Sequence, residues 1–420
     1  MSRHRRAPAY PAAALILIHF AAASARAGEP APLRLDEVVA AVRKNNPAIA
    51  ERRHLGEAAA RRPGAVQPED PTVSLDWWQQ PVDFATVPLM LSVRQPIPWS
   101  SKLGLRREVA AAEARVAGRD TDELERRLVA DAKRAYFDLA LAERSLAIND
   151  RMRALGQHIV EITDALYRVG KAAQPDLFRA QSELLVVDNE RLDLERARDE
   201  AAARLNALLD RPPETPVGAT VTPLGVVALP SEAELVARAL ADRPDVRRAQ
   251  AMLGAAESRR ALANKERLPE VAVSAGYMLN VRGVDMFTVG VSTTLPIFGA
   301  RRAHALDDVG TAEIAAARSA LDAARRQCAL DVHLALLQLE TASRHVRLHA
   351  DKLVPLADVS LESAEASYRS GRVGFLTVLD AARVVRQHHL DHQRFLADYR
   401  RRLADLEQAL GSDLDMGDAS

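Results

Sequence analysis

A single cysteine, Cys328, stands in 420 residues, which excludes an internal disulfide framework and argues against an acylated cysteine at a mature N-terminus. Aromatic residues make up only 4% of the chain, a low share for a compact enzyme of this length. Neither sign of charge is in excess, with 57 Lys plus Arg against 57 Asp plus Glu, so nothing draws the chain to nucleic acid. Beyond the N-terminal region no eighteen consecutive residues are apolar, and a helical membrane protein is not expected. A Gly-rich phosphate loop, a nucleophile elbow and clustered catalytic acids are all missing, so neither an enzyme nor a cofactor is expected. What is abundant is Ala, Leu, Arg and Glu, the composition of long, closely packed helices.

The chain opens with Arg3, Arg5 and Arg6, an apolar stretch from Ala12 to Ala23, and Ala25-Arg26-Ala27. This is the plan of a secretory signal with an A-x-A cleavage site, and residues 1–27 are assigned to it. A membrane anchor would need about twenty apolar residues. The mature protein is therefore expected in the periplasm, in the outer membrane or outside.

Four landmarks then recur in order about 200 residues apart. Asn46-Pro47-Ala48-Ile49, read as part of a first helix, is echoed by Arg243-Pro244-Asp245-Val246, and Pro71-Thr72-Val73-Ser74 by Pro269-Glu270-Val271-Ala272. Gln95-Pro96-Ile97 is echoed by Leu295-Pro296-Ile297, and Tyr167-Arg168-Val169-Gly170 by Tyr368-Arg369-Ser370-Gly371. This is a tandem duplication, joined through the Pro-rich stretch from Arg211 to Pro230, with repeats over 28–220 and 221–420.

Each repeat changes period twice. Val271, Val273, Ala275, Tyr277 and Leu279 alternate with Ala272, Ser274, Gly276 and Met278, and Phe287, Val289 and Val291 with Met286, Thr288, Gly290 and Ser292. Val73, Leu75 and Trp77, then Leu89, Leu91 and Val93, repeat the pattern, so each repeat carries one hairpin, over about 71–96 and 270–296. The apolar period then becomes helical over about 99–210 and 298–411, on the order of 100 Å for seventy residues. Gly118, Gly156 and Pro355 are candidate breaks. Gly170 and Gly371 sit where these helices must reverse, as left-handed helix ends, with Asp176 and Thr377 as candidate N-caps of the returning helices.

Four strands with one apolar and one small or polar face suit a wall between lipid and water. They cannot close a barrel alone, and open edges are not tolerated in lipid, so several copies must pool them. The order of the signal, the duplicated halves, the hairpin ending in Q-P-I-P or L-P-I-F, and the Tyr-x-x-Gly turn resembles the outer-membrane efflux factors of the TolC family. The stretch Ile97-Pro98-Trp99-Ser100-Ser101-Lys102 is similar to the heavy-metal branch.

The resemblance implies a mainly α protein with a small β part. It would be a homotrimer whose four strands per copy make a transmembrane barrel in outer-membrane lipid, above an α-helical periplasmic barrel of long hairpins. It implies a passive exit duct served by a periplasmic adaptor and an inner-membrane pump of the resistance-nodulation-division type, with heavy-metal cations as one cargo. The adaptor would dock at Tyr167, Arg168, Val169, Gly170, Lys171 and at Tyr368, Arg369, Ser370, Gly371, Arg372, although Lys171 and Arg372 depart from the usual apolar residue after the glycine. The family's periplasmic gate of inward carboxylates maps to Asp380, with Thr377 where some members carry a second acid. Asp380 read alone is equally a solvated acid near a helix start.

His388 and His392, one helical turn apart in HHLDH, have metal-ligand spacing but no third ligand nearby, so a solvated or tunnel-facing helix surface is the expectation for them. His333, His345 and His349 read as packing or surface residues. Trp77, Trp78 and Trp99 read as an aromatic girdle at the membrane interface. Two other classes remain: a periplasmic coiled-coil adaptor, expected to show one inserted hairpin and not two equal copies, and a coiled coil that never enters the outer membrane.

Overall fold

Proline sets the first junction in both repeats. Pro47 and Pro244 lack an N–H and force the residue before them out of the helical region, so Asn46 (ψ 121°) and Arg243 (ψ 126°) are extended. The expected single first helix is therefore two: α1 (Leu35–Asn45) and α2 (Pro47–Ala65) in one repeat, α5 (Glu232–Asp242) and α6 (Pro244–Lys265) in the other. Asn46 caps the junction, its Oδ1 accepting from the Ala48 N–H at 3.0 Å. The computed structural model describes residues 31–77, 89–221, 225–265, 268–280, 284–294 and 299–414. The signal segment, Trp78, most of the two hairpin turns and Leu295-Pro296-Ile297 lie outside the described residues.

The strands are β1 (Thr72–Trp77), β2 (Leu89–Ile97), β3 (Val271–Leu279) and β4 (Met286–Thr293). They form one antiparallel sheet in the order β1-β2-β3-β4, so the two repeats are fused through β2 and β3 along the register from Leu89↔Leu279 to Ile97↔Val271. Trp99 and Lys102 fasten this seam where β2 turns into a helix. The indole N–H donates to the Pro269 carbonyl at 2.6 Å, and the buried Lys102 Nζ reaches the Leu268 carbonyl at 3.4 Å.

From Ser100 the helix α3 runs unbroken for 69 residues to Arg168, through Gly118 and Gly156 alike. Nothing lies within 4 Å of a side chain built at Gly118, and a glycine within so long a hydrogen-bonded run costs only about 1 kcal/mol. The return is α4 (Gln174–Leu208). The second repeat does break, as Pro355 suggests. There α7 (Gly299–Leu348) passes through a π-helical turn, His349–Leu353, into α8 (Val354–Arg369), with Pro355 in the first turn, where its missing N–H leaves no gap. The last helix, α9, spans Phe375–Leu410.

Three apolar clusters hold the helices. Val38, Val42, Tyr136, Leu139 and Leu205 close the base of the first hairpin, and Leu235, Val332, Leu339, Tyr399 and Leu406 do the same in the second. The third joins the two hairpins near their tips, where Ile159 and Ala180 meet Leu361, Tyr368, Phe375 and Val378. No described helix is long and apolar enough to cross a membrane.

Candidate functional site

Both tip turns have the same backbone. Gly170 (φ +73°) and Gly371 (φ +75°) adopt the left-handed conformation expected of them, and nothing stands within 4 Å of where a side chain would be. Each closes its helix with the paired bonds of a Schellman turn. Gly170 N–H donates to Tyr167 O (2.9 Å) and Lys171 N–H to Leu166 O (2.8 Å), while Gly371 N–H donates to Tyr368 O and Arg372 N–H to Ser367 O, both 2.9 Å. The expected caps do not form. Ala173 and Gly374 occupy the N-cap positions without side-chain hydrogen bonds, because the helices start earlier, at Gln174 and Phe375. Asp176 and Thr377 therefore sit inside the first turn.

The side chains at the two tips differ. Tyr167 is exposed at 40%, as is Val169 at 66%, whereas Tyr368 is buried against Phe375 at 6.1 Å between ring centroids. Arg168 pairs with Asp164 at 2.7 Å, while Arg369 reaches across to α3 and donates to His158 Nε2 at 2.9 Å. The shared Tyr-Arg thus presents an open tip in the first hairpin, and in the second it braces that tip against its neighbour.

Below the tips Glu183 on α4 accepts from Nη2 and Nε of Arg383 on α9, at 2.7 and 3.1 Å. That hydrogen bond, with the positive charges of Arg383 and Arg386 against partial burial, holds the Glu183 carboxyl below the usual carboxylate range. Arg386 extends the ladder to Glu190 at 3.3 Å. Asp380 and Thr377 lie on the exposed side of α9, opposite the buried Phe375, Val378 and Leu379.

His388 and His392 are half-buried in the single chain, because α9 turns them toward the π-helical turn. His349, 7% exposed, meets His388 edge-on at 5.6 Å and Phe395 at 4.9 Å; His345 stacks on Phe395 at 4.6 Å. Nδ1 of His349, His388 and His392 are all buried without a hydrogen-bond partner. Among the described residues no group of three His, Cys, Asp or Glu side chains is placed to hold a metal ion. The sequence pattern HHLDH gave no sign that His349 joins this cluster, since the contact depends on how α7, α8 and α9 pack.

Burial, and then the nearby His349 and His389, push the His392 imidazole below its ordinary value, so the folded protein favours the neutral ring. His389 is itself held by Asp358 at 2.9 Å, and Asp391 by Arg394 at 3.2 Å. The unfolded chain takes up its proton near pH 6.5, so the cluster is undisturbed above that pH and loses stability as pH falls below it. The thermal midpoint in detergent is expected to drop more steeply between about pH 7 and pH 5 for the native protein than for His392→Leu. Parallel acid limbs would refute this account.

On the sheet one face is apolar except for Gln95 and Thr293 at the end nearest the helices. Val73↔Val93, Ala275 and Val289 form one row, and Leu75↔Leu91, Tyr277 and Phe287 the next. Phe287, Val289 and Val291 are 70 to 74% exposed, and Trp77, at the far end from the helices, 69%. The other face carries Ser74, Ser92, Arg94, Ser274, Gly276 and Thr288, with Ser74 and Ser92 hydroxyls 2.7 Å apart. Wide, contiguous apolar exposure beside a polar face is the arrangement of a lipid-facing barrel wall.

The outer membrane efflux protein family model matches residues 84–211 and 235–412. The chain belongs to this family. As an outer membrane efflux protein it is 24% identical over 331 residues to nodulation protein T of Rhizobium leguminosarum bv. trifolii, covering 75% of this chain and 70% of that one. Its fold is shared with the outer membrane channel MtrE of Neisseria gonorrhoeae in the open state, at a TM-score of 0.75 and 20% identity, covering 90% of this chain and 89% of that one. It is shared equally with CusC, at 0.77 and 17%, covering 90% and 92%. The efflux protein therefore functions in export at the outer membrane.

Proposed function

We propose that three copies of this efflux protein, following removal of a signal segment, close one twelve-stranded barrel and one helical tunnel, and that this duct passes cargo passively from its partners. The observation that carries the reading is the sheet, whose apolar face is exposed while β1 and β4 each have a single neighbouring strand. An open edge in lipid leaves N–H and C=O groups unpaired at several kcal/mol each. Two copies would reach the minimum of about eight strands, and three leave a water-filled lumen. The exposed stripe Phe178, Leu185 and Leu192 on α4, at seven-residue spacing, supports lateral packing of the hairpins between copies. Trp77 and Trp99 would stand in the two interfacial girdles.

In this reading the tips formed by Tyr167, Arg168, Val169, Gly170 and Lys171 and by Tyr368, Arg369, Ser370, Gly371 and Arg372 dock a periplasmic adaptor, which links the duct to an inner-membrane pump of the resistance-nodulation-division type. Asp380 and Thr377, on the exposed side of α9, would line the periplasmic constriction, where three like charges attract cations and resist close approach. Native mass spectrometry of detergent-extracted protein tests the assembly. A trimer is expected, and a monomer or dimer released without detergent would refute the duct.

A further inference from the structure

The four strands carry one row of side chains that the barrel wall does not require. Asp76 pairs with Met90, Met90 with Met278 and Met278 with Met286, so three thioethers and one carboxylate follow each other straight across the sheet. Directly opposed residues on one face stand about 4.5 to 5.5 Å apart at Cβ, well within the reach of methionine. These are three of the chain's seven methionines.

Their face is the informative point. They alternate with the exposed Trp77, Leu89, Leu279 and Phe287, and so share the side of Ser74, Ser92, Gly276 and Thr288. On that side they are the only long apolar side chains among the paired residues. Lipid contact does not explain apolar groups turned toward water. Packing accounts for one detail, since the Met90 methyl lies 2.9 Å from where a Gly276 Cβ would stand, so the absent side chain lets Met90 lean across β3.

We propose that Met90, Met278 and Met286 form a thioether site for soft monovalent cations, of the Cu(I) and Ag(I) class, on the lumenal wall near its outer mouth. The proposal rests on the duct reading for which face is lumenal. Thioether sulfur is a soft, neutral donor that suits such ions and not hard or borderline divalent ones. Asp76 ends the row with a negative charge that favours cations without supplying a hard, multidentate cage. The row lies next to the hairpin turns and remote from the helices, so an exported ion meets it late on its path. Neutral, weakly binding donors suit that position, because conduction requires release.

The test uses full-length protein extracted in detergent, labelled with ¹³C at the methionine methyls and titrated with Ag(I) in chloride-free buffer. The three methyl signals, assigned with single Met→Leu variants, are expected to shift together, and Zn(II) is expected to leave them in place. Met90→Leu/Met278→Leu/Met286→Leu keeps volume and should bind Ag(I) at least about tenfold more weakly. Buried Cys328 is present in both proteins and contributes equally. Unshifted methyl signals, equal binding by the triple variant, or an equal response to Zn(II) would each overturn the proposal. Native mass measured on the same sample separates the two readings, since silver bound at these methyls in a monomer would keep the site and sink the closed duct.

Discussion

Lys133→Met is expected to destabilise the folded protein by about 3–5 kcal/mol, the cost of leaving a buried charge without its partner. Lys133 on α3 donates to Glu407 on α9 at 2.6 Å, and the two side chains are only 9% and 10% exposed. A second bond runs to Asp413 at 2.8 Å, and Glu407 also accepts from the Leu414 N–H at 3.1 Å. Methionine fills most of the lysine's volume, so the loss is electrostatic and not a cavity. Glu407→Gln on that background removes the stranded charge and should restore part of the loss. Urea unfolding of the four proteins of this cycle in detergent checks it, and a double variant as unstable as the two single losses added would refute the pairing. Acid gives a second readout. Burial alone would raise the Asp413 carboxyl, but Lys133, Arg126 and Arg43 outweigh it and hold it low, so its contribution is present above the ordinary Asp range and lost as pH falls through the lowered value.

That ion cluster was invisible in the sequence for the same reason that much else was not. Its partners are 274 residues apart and belong to different repeats, and no local pattern relates them. The alternating strands, the long helices and the left-handed glycines at 170 and 371 were legible because each is a property of a short window, a period of two, a period near 3.6, or a glycine at a helix end, and the duplication because such windows recur in the same order. Helix starts were less so. Asp176 and Thr377 have the right chemistry for caps, but Pro175 is tolerated one step inside a helix and burial of Phe375 draws the other first turn forward, so both fell inside. The pattern around Asn46-Pro47 and Arg243-Pro244 suits one continuous helix, yet the restriction a proline imposes on its predecessor divides it in both repeats.

At the site the division is the same. The tip turns were found by their glycines, but the equal-looking Tyr167 and Tyr368 differ in burial because only the second hairpin folds Phe375 over its tyrosine. Met278 and Met286 could be placed on the small and polar face from alternation alone. Their alignment with Met90 needed the pairing of β2 with β3, which joins the two repeats and is fixed by register, not by any motif.

The sheet carries the second large effect. Val289→Arg is expected to cost about 2–4 kcal/mol per copy, whereas Thr288→Arg, one residue earlier at nearly the same depth, should cost under about 1 kcal/mol. Val289 is 73% exposed in the middle of β4, in the row Val73, Val93, Ala275, and an arginine there must enter hydrocarbon. Thr288 belongs to the opposite face, where Arg94 already sits in the native sequence, and a second guanidinium there meets water. Because every copy would bear the substitution, the penalty of Val289→Arg multiplies around the barrel while each copy's helices keep their own packing. Folding into liposomes, followed by the yield of heat-resistant oligomer, is expected to fall sharply for Val289→Arg and to hold for Thr288→Arg. Equal losses for the two would mean that both faces see the same medium, which no closed lipid-embedded barrel permits.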